Sequence, residues 1–182
     1  MLEVYPQFGT PSPNIEHPCP EPPPVPENAN LIIGHFRGDA YLEWQDAARI
    51  TILRHPIDRL ISHYMAWRVI QPTIEAGEFR RHVYEGRIDI VSFAARLRRM
   101  LSQLYFSGVD MRNFDVIVCN EDYEAGIERM SAVLGVPLEM QRLNARGPYT
   151  NEKADLLAGR DGKLVAQIME EDVDFYRAAV GR

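Results

Sequence analysis

The stretch that most restricts the fold of this chain is Ala48 to Arg68, ARITILRHPIDRLISHYMAWR. Residues 48–54 form a nearly continuous apolar run, which is typical of a strand covered on both faces of a sheet. From Ile57 onward, apolar residues recur at helical spacing, so a helix is predicted directly after the strand. Pro56 suits the first turn of that helix, where an amide hydrogen would lack an intrahelical partner. The segment therefore predicts a strand that runs into an amphipathic helix.

Similar elements alternate along the rest of the chain. Strands are predicted at two further short apolar runs, residues 30–36 and 114–120. Helices are predicted over residues 92–106, 122–135 and 162–180, and a short helix or turn over residues 39–47. Residues 69–90 mix both signs of charge and are predicted to be a surface excursion. Strands separated by helices indicate an α/β protein with a parallel sheet.

The first 27 residues hold most of the chain's 13 prolines. Proline lacks an amide hydrogen and cannot serve in a helix interior or an inner strand, so this segment is predicted to be an extended arm. The folded part is predicted to be one α/β domain over residues 28–182, since 182 residues suffice for one substantial core.

Composition excludes several classes of function. A net charge of −6 argues against a dedicated nucleic-acid binder. The two cysteines, Cys19 and Cys119, are too few and too far apart for a disulfide framework or a metal site. No apolar stretch reaches the roughly 18 residues of a membrane span, and the N-terminus lacks the pattern of a signal peptide. These features predict a cytoplasmic protein without a membrane span, and they leave the oligomeric state open.

Chemistry is expected where the strand of residues 48–54 meets its helix. Ligands of open α/β sheets bind beyond the carboxyl ends of the strands, where helix N-termini attract anions. Arg54 offers a planar, bidentate charge for phosphate or sulfate, and Ser62 offers a hydroxyl donor on the helix. In the alternative interpretation, Arg54 pairs with an acidic side chain and Ser62 has no function. The residues alone leave both interpretations open.

The segment RHPIDRLISHY also resembles the 3′-phosphate-binding segment of sulfotransferases that use 3′-phosphoadenosine 5′-phosphosulfate (PAPS). It is most similar to the carbohydrate-type family related to heparan sulfate 2-O-sulfotransferase and its bacterial relatives. The family pattern is Arg-x-Pro-x-x-Arg-x-x-Ser-x-Tyr after a strand, and it matches Arg54, Pro56, Arg59, Ser62 and Tyr64 in register. The resemblance implies that Arg54 and Ser62 contact the cofactor's 3′-phosphate, and that Arg59 either has a structural role or supports the residues that touch the cofactor.

Further segments resemble the same family in the same order. IIGHF, residues 32–36, is similar to a segment whose histidine is the general base, which implies that His35 takes the proton of the acceptor hydroxyl. The segment 114–135 is similar to the family's downstream strand and helix, with Asn120 and Glu121 where Thr-Glu is usual. LNARGPYT and VDFYRAA resemble its C-terminal loop and closing helix. In that loop, Gly147 allows a tight turn through which Arg146 would close over a cofactor phosphate.

The resemblance implies a P-loop-NTPase-like parallel sheet flanked by helices. It also implies an O-sulfotransferase that moves a sulfuryl group from PAPS, without a metal, to a hydroxyl of a small molecule or glycan, most naturally a carbohydrate. In such a transfer the protein mainly positions the reactants and stabilises charge, and a histidine suits the general base near neutral pH.

One part of the family pattern is missing from this chain. The family's first strand leads into a Lys-x-Gly-x-[ST] loop that holds the 5′-phosphosulfate, but here the first lysine is Lys153 and the preceding segment is rich in proline. Three explanations are open: an N-terminal truncation, a homologue that has lost catalysis, or replacement of the loop by Arg80 or Arg81. The alternative function is therefore a truncated or inactive nucleotide-binding or interaction module on the same fold, with the proline-rich arm available to a partner.

Overall fold

The computed structural model describes residues 31–34, 36–73, 76–140 and 150–181. Within these ranges two strands, β1 (Ile50–Leu53) and β2 (Val116–Cys119), form a parallel pair. Ile50 lies opposite Val116, and Leu53 lies opposite Cys119. The predicted α/β class with a parallel sheet is therefore confirmed at this level. The predicted arm, residues 1–27, lies outside the described residues.

Helices make up most of the described chain. They are α1 (Pro56–Val69), α2 (Glu78–Tyr84), α3 (Ile90–Leu97), α4 (Tyr123–Leu134), α5 (Thr150–Ala158), α6 (Arg160–Ile168) and α7 (Glu170–Val180). A π-helix spans Met100–Tyr105, and 3₁₀ turns span Met111–Asn113 and Asn120–Asp122. No helix in the described ranges is long and apolar enough to cross a membrane.

The larger hydrophobic core lies among the helices and away from the sheet. α1 contributes Leu60 and Trp67, α2 contributes Val83, and α3 contributes Phe93. Burial of such side chains contributes about 1.5–3 kcal/mol each. A smaller core joins Leu53 at the end of β1 to the π-helix and to α7. α1, which follows β1 directly, therefore connects the end of the sheet to the main core.

α4 packs closely on β2 because a glycine faces the strand. A Cβ atom at Gly126 would overlap the side chain of Val118, which is fully buried. The helix ends at Gly135, whose φ of +66° is a left-handed conformation that glycine adopts without strain. The predicted helix over residues 122–135 is thus confirmed, with Tyr123–Leu134 as its bounds.

The predicted helix over residues 92–106 is wrong as one continuous element. α3 ends at Leu97, Arg99 takes a left-handed φ of +61°, and the π-helix follows. The cause comes from α7. The carboxylate of Asp172 accepts hydrogen bonds from the amides of Leu101 (3.2 Å) and Ser102 (2.9 Å), and Glu171 pairs with Arg99 at 2.6 Å. These acidic side chains of α7 therefore stabilise the N-terminal end of the π-helix, and the periodicity of residues 92–106 does not reveal this interaction.

Three other predictions need correction. Residues 69–90 are not a simple surface excursion, because they include α2, whose Val83 is 0% exposed. The C-terminal helix is divided into α6 and α7 at Met169. Of the strand predicted over residues 30–36, residues 31–34 form no strand and Ile33 is 56% exposed, while Phe36 forms an isolated β-bridge. Residues 39–46 form turns, in agreement with the prediction of a helix or turn there.

Candidate anion-binding site

Arg54 lies where the sequence places it, between the last residue of β1 and the first turn of α1. Its side chain is half-buried, and its buried Nε atom has no hydrogen-bond partner in the part of the chain that the structure describes. Among the described residues, no carboxylate forms an ion pair with this guanidinium. The interpretation in which Arg54 is neutralised by an acidic neighbour therefore has no support in the described part of the chain. A buried N–H donor without an acceptor is unusual and costs roughly 1–3 kcal/mol.

The acidic group at this edge of the sheet, Glu121, is committed to other donors. It follows β2, and one carboxylate oxygen accepts a hydrogen bond from the backbone amide of His55 at 2.7 Å. The other oxygen accepts a hydrogen bond from the hydroxyl of Tyr176, on α7, at 2.8 Å. Partial burial raises the pKa of Glu121, but these two hydrogen bonds outweigh burial and hold the pKa below its usual value. Glu121 thus ties the β1–α1 junction to the C-terminal helix.

Tyr176 is the partner that the sequence did not reveal. Burial, followed by the hydrogen bond to Glu121, raises the pKa of its hydroxyl well above the usual value. Its ring also meets the imidazole of His55 edge to face, with 5.5 Å between the ring centroids. No role beyond a place in the closing helix was predicted for Tyr176, although apolar spacing along that helix puts it on the buried side.

The N-terminus of α1 adds a favourable field for an anion. Pro56 occupies its first turn, and no described side chain caps the helix. Its dipole places partial positive charge beside Arg54. Two carboxylates reduce this effect: Glu121 already holds the His55 amide, and Asp58 lies in the first turn. The charge of Arg54 is therefore the main attraction for an anion here.

Ser62 lies six residues beyond Pro56 on the same helix, about 9 Å along its axis. It is half-buried, and within the described ranges its hydroxyl makes no hydrogen bond. The structure therefore places Arg54 and Ser62 on one strand–helix unit. The other two predicted site residues, His35 and Arg146, lie outside the described residues.

Arg59 lies beside the aromatic ring of Tyr105. Its guanidinium carbon lies 5.8 Å from the centre of the Tyr105 ring. Burial lowers the pKa of Arg59, and Tyr105 and Asp172 oppose this effect. Among the described residues no group of three or more His, Cys, Asp or Glu side chains is arranged to hold a metal ion.

Comparison with known proteins adds no relative: no family model, curated protein or solved structure matches this chain. Any assignment of function therefore rests on the residues and on their arrangement at the carboxyl end of the sheet.

Proposed function

We propose that this protein is a PAPS-dependent O-sulfotransferase whose strand-end site, Arg54 with Ser62 and the N-terminus of α1, takes the 3′-phosphate of the nucleotide. The observation that carries the proposal is the buried Nε of Arg54, which lies at a helix N-terminus and has no hydrogen-bond partner within the described ranges. A phosphate there would accept two parallel hydrogen bonds from the guanidinium and neutralise its charge. Parallel neighbours β1 and β2, each followed by a helix, are also what a P-loop-like sheet requires.

The transfer itself is assigned to residues that the resemblance supplies. The acceptor oxygen would form a bond to sulfur as the bond from sulfur to the phosphate oxygen breaks. His35 would take the acceptor's proton, and Arg146 would close over a phosphate of the departing nucleotide. The acceptor is proposed to be a hydroxyl of a carbohydrate. Arg54 and Ser62 fix the distal end of the cofactor, which converts binding energy into alignment of the reacting atoms.

The binding step is tested by calorimetry with 3′-phosphoadenosine 5′-phosphate (PAP). Arg54→Ala removes a charged, bidentate donor and is expected to weaken PAP binding by about 2 kcal/mol, roughly 30-fold. Arg87→Ala is the matched control, because Arg87 is exposed and pairs only with nearby Glu85 at 3.0 Å in the described structure. Equal affinity of the Arg54→Ala variant and the native chain for PAP, or no PAP binding by the native chain, would refute the assignment.

The second candidate is a nucleotide-binding module without catalysis. It is favoured by the sequence itself, which has no lysine before Lys153 to stabilise the departing phosphate. Transfer of radiolabelled sulfate from PAPS to a panel of glycans and small hydroxylated compounds separates the two candidates. The enzyme is expected to show transfer that His35→Ala abolishes. PAP binding without any transfer would favour the module, and transfer undiminished in His35→Ala would remove His35 as the base.

A further inference from the structure

A second group of basic side chains lies within the helical core, apart from the strand end. Arg59 and His63 are one turn apart on α1, and Arg80 comes from α2. The guanidinium carbon of Arg80 lies 5.6 Å from the ring centre of Trp67, and the His63 ring meets the same indole edge to face at 4.6 Å. Trp67 is buried, so His63 and Arg80 flank one side chain at the α1–α2 interface.

One nitrogen of His63 and one of Arg80 lack the partner that a buried polar atom normally has. The Nε2 atom of His63 and the Nε atom of Arg80 are both buried, and neither has a hydrogen-bond partner among the described residues. Native structures leave few such atoms unpaired, and each one is costly. Both nitrogens lie beside the same indole, one on each of two packed helices, so the unsatisfied donors are concentrated at the α1–α2 interface.

The charges around His63 also favour an anion at this interface. Arg59 and Arg80 both lie close enough to His63 to oppose its protonation. The carboxylate of Asp172, on α7, attracts the charge of Arg59. Both of its oxygens already accept hydrogen bonds from backbone amides of the π-helix. α3 contributes the Phe93 ring to the His63 surroundings, 5.7 Å away. A water molecule between the two helices would satisfy hydrogen bonds but would leave this positive charge uncompensated. An anion would satisfy the same hydrogen bonds and also compensate the charge.

We propose that an oxyanion, a sulfate, phosphate or carboxylate group, binds at the α1–α2 interface with Arg80 and His63 as its donors and Arg59 as a nearby positive charge. Arg80 is only half-buried, which leaves a route from solvent. This site is distinct from the strand-end site of Arg54 and does not depend on the proposed sulfotransferase activity.

The test is NMR of the His63 imidazole in the full-length protein, titrated with sodium sulfate, sodium phosphate or sodium acetate at constant ionic strength held with sodium chloride. At least one of the three anions is expected to shift the imidazole signals saturably. The preferred anion should also raise the midpoint of the His63 titration, because a bound negative charge favours the imidazolium. No saturable response to any of the three anions would overturn the proposal.

Variants identify the donors. Arg80→Gln is expected to weaken binding of the preferred anion about tenfold or more, while Arg81→Gln, an exposed neighbour on the same helix, should bind like the native chain. Arg80→Lys keeps the charge near Trp67 and serves if the glutamine variant does not fold; it should bind more weakly because it loses the planar donor pair. An Arg80 variant that binds as tightly as the native chain contradicts the assignment. Arg54→Ala should retain the His63 response, and its loss in that variant would show that the two sites are one.

Discussion

The acid sensitivity of the fold should depend strongly on His63. Burial, together with Arg59 and Arg80, lowers the pKa of this imidazole from 6.5 to about 4. As pH falls, His63 therefore becomes protonated near pH 6.5 in the unfolded chain but only near pH 4 in the folded chain. The free energy of unfolding falls over this window as pH falls. Since each pKa unit corresponds to about 1.4 kcal/mol, the loss attributable to His63 is about 3 kcal/mol.

The measurement is urea unfolding at pH 7, 6, 5 and 4 in sodium chloride, without added sulfate, phosphate or carboxylate buffers. His63→Gln keeps a similar volume and cannot be protonated, so it should lose about 3 kcal/mol less than the native chain between pH 7 and pH 4. His82→Gln is the matched control, because its imidazole lies at the surface 3.7 Å from Glu78. Carboxylate titration contributes equally to all three proteins and cancels in the differences. Parallel pH curves for the native and His63→Gln proteins would refute the reasoning.

Three further substitutions test the packing and the junction. Gly126→Ala should lower the free energy of unfolding by about 1–2 kcal/mol in urea titrations, because overlap with Val118 outweighs the gain in helix propensity; an unchanged or higher value would contradict the close α4–β2 contact. Asp172→Asn, at a carboxylate only 1% exposed, should cost about 2 kcal/mol by leaving a buried amide unpaired, while exposed Asp174→Asn should cost little in the same assay. Glu121→Gln should lower the melting temperature most above pH 4.5, where the native carboxylate is ionised, and the difference should shrink as pH falls, because the pKa of Glu121 is lowered in the folded state; a difference that does not shrink as pH falls would contradict this.

The local elements of this fold could be predicted from the sequence because their signals are local. Apolar runs indicate β1 and β2, apolar periodicity after Pro56 indicates α1, and Gly135 marks the end of α4. The left-handed turn at Arg99 could not be predicted in this way, since the groups that bind the following helix start come from α7, about 70 residues later. α2 was not predicted because most of its residues are charged or polar, and its one fully buried side chain, Val83, gives no apolar periodicity.

The two candidate sites also differ in whether their residues are close together in the sequence. The strand-end site could be predicted because strand, arginine, proline and helix follow one another directly in the chain. The site between α1 and α2 requires knowledge of how two helices pack, which the sequence does not state. A signal was present, since Arg59, His63 and Trp67 recur every four residues and so share one face of α1. That face carries two basic side chains together with a tryptophan, and this combination is a signal for a binding site.

The two sites differ in what an anion would have to overcome. At the strand end, Glu121 already binds the amide of His55, so a phosphate must approach a carboxylate and depends on Arg54 to offset the repulsion. Between α1 and α2, the carboxylate of Asp172 is committed to backbone amides, and Arg59, His63 and Arg80 present a surplus of donors. Affinity at the strand end should therefore require a ligand with further contacts, such as a nucleotide, whereas a single inorganic oxyanion should suffice at the α1–α2 interface.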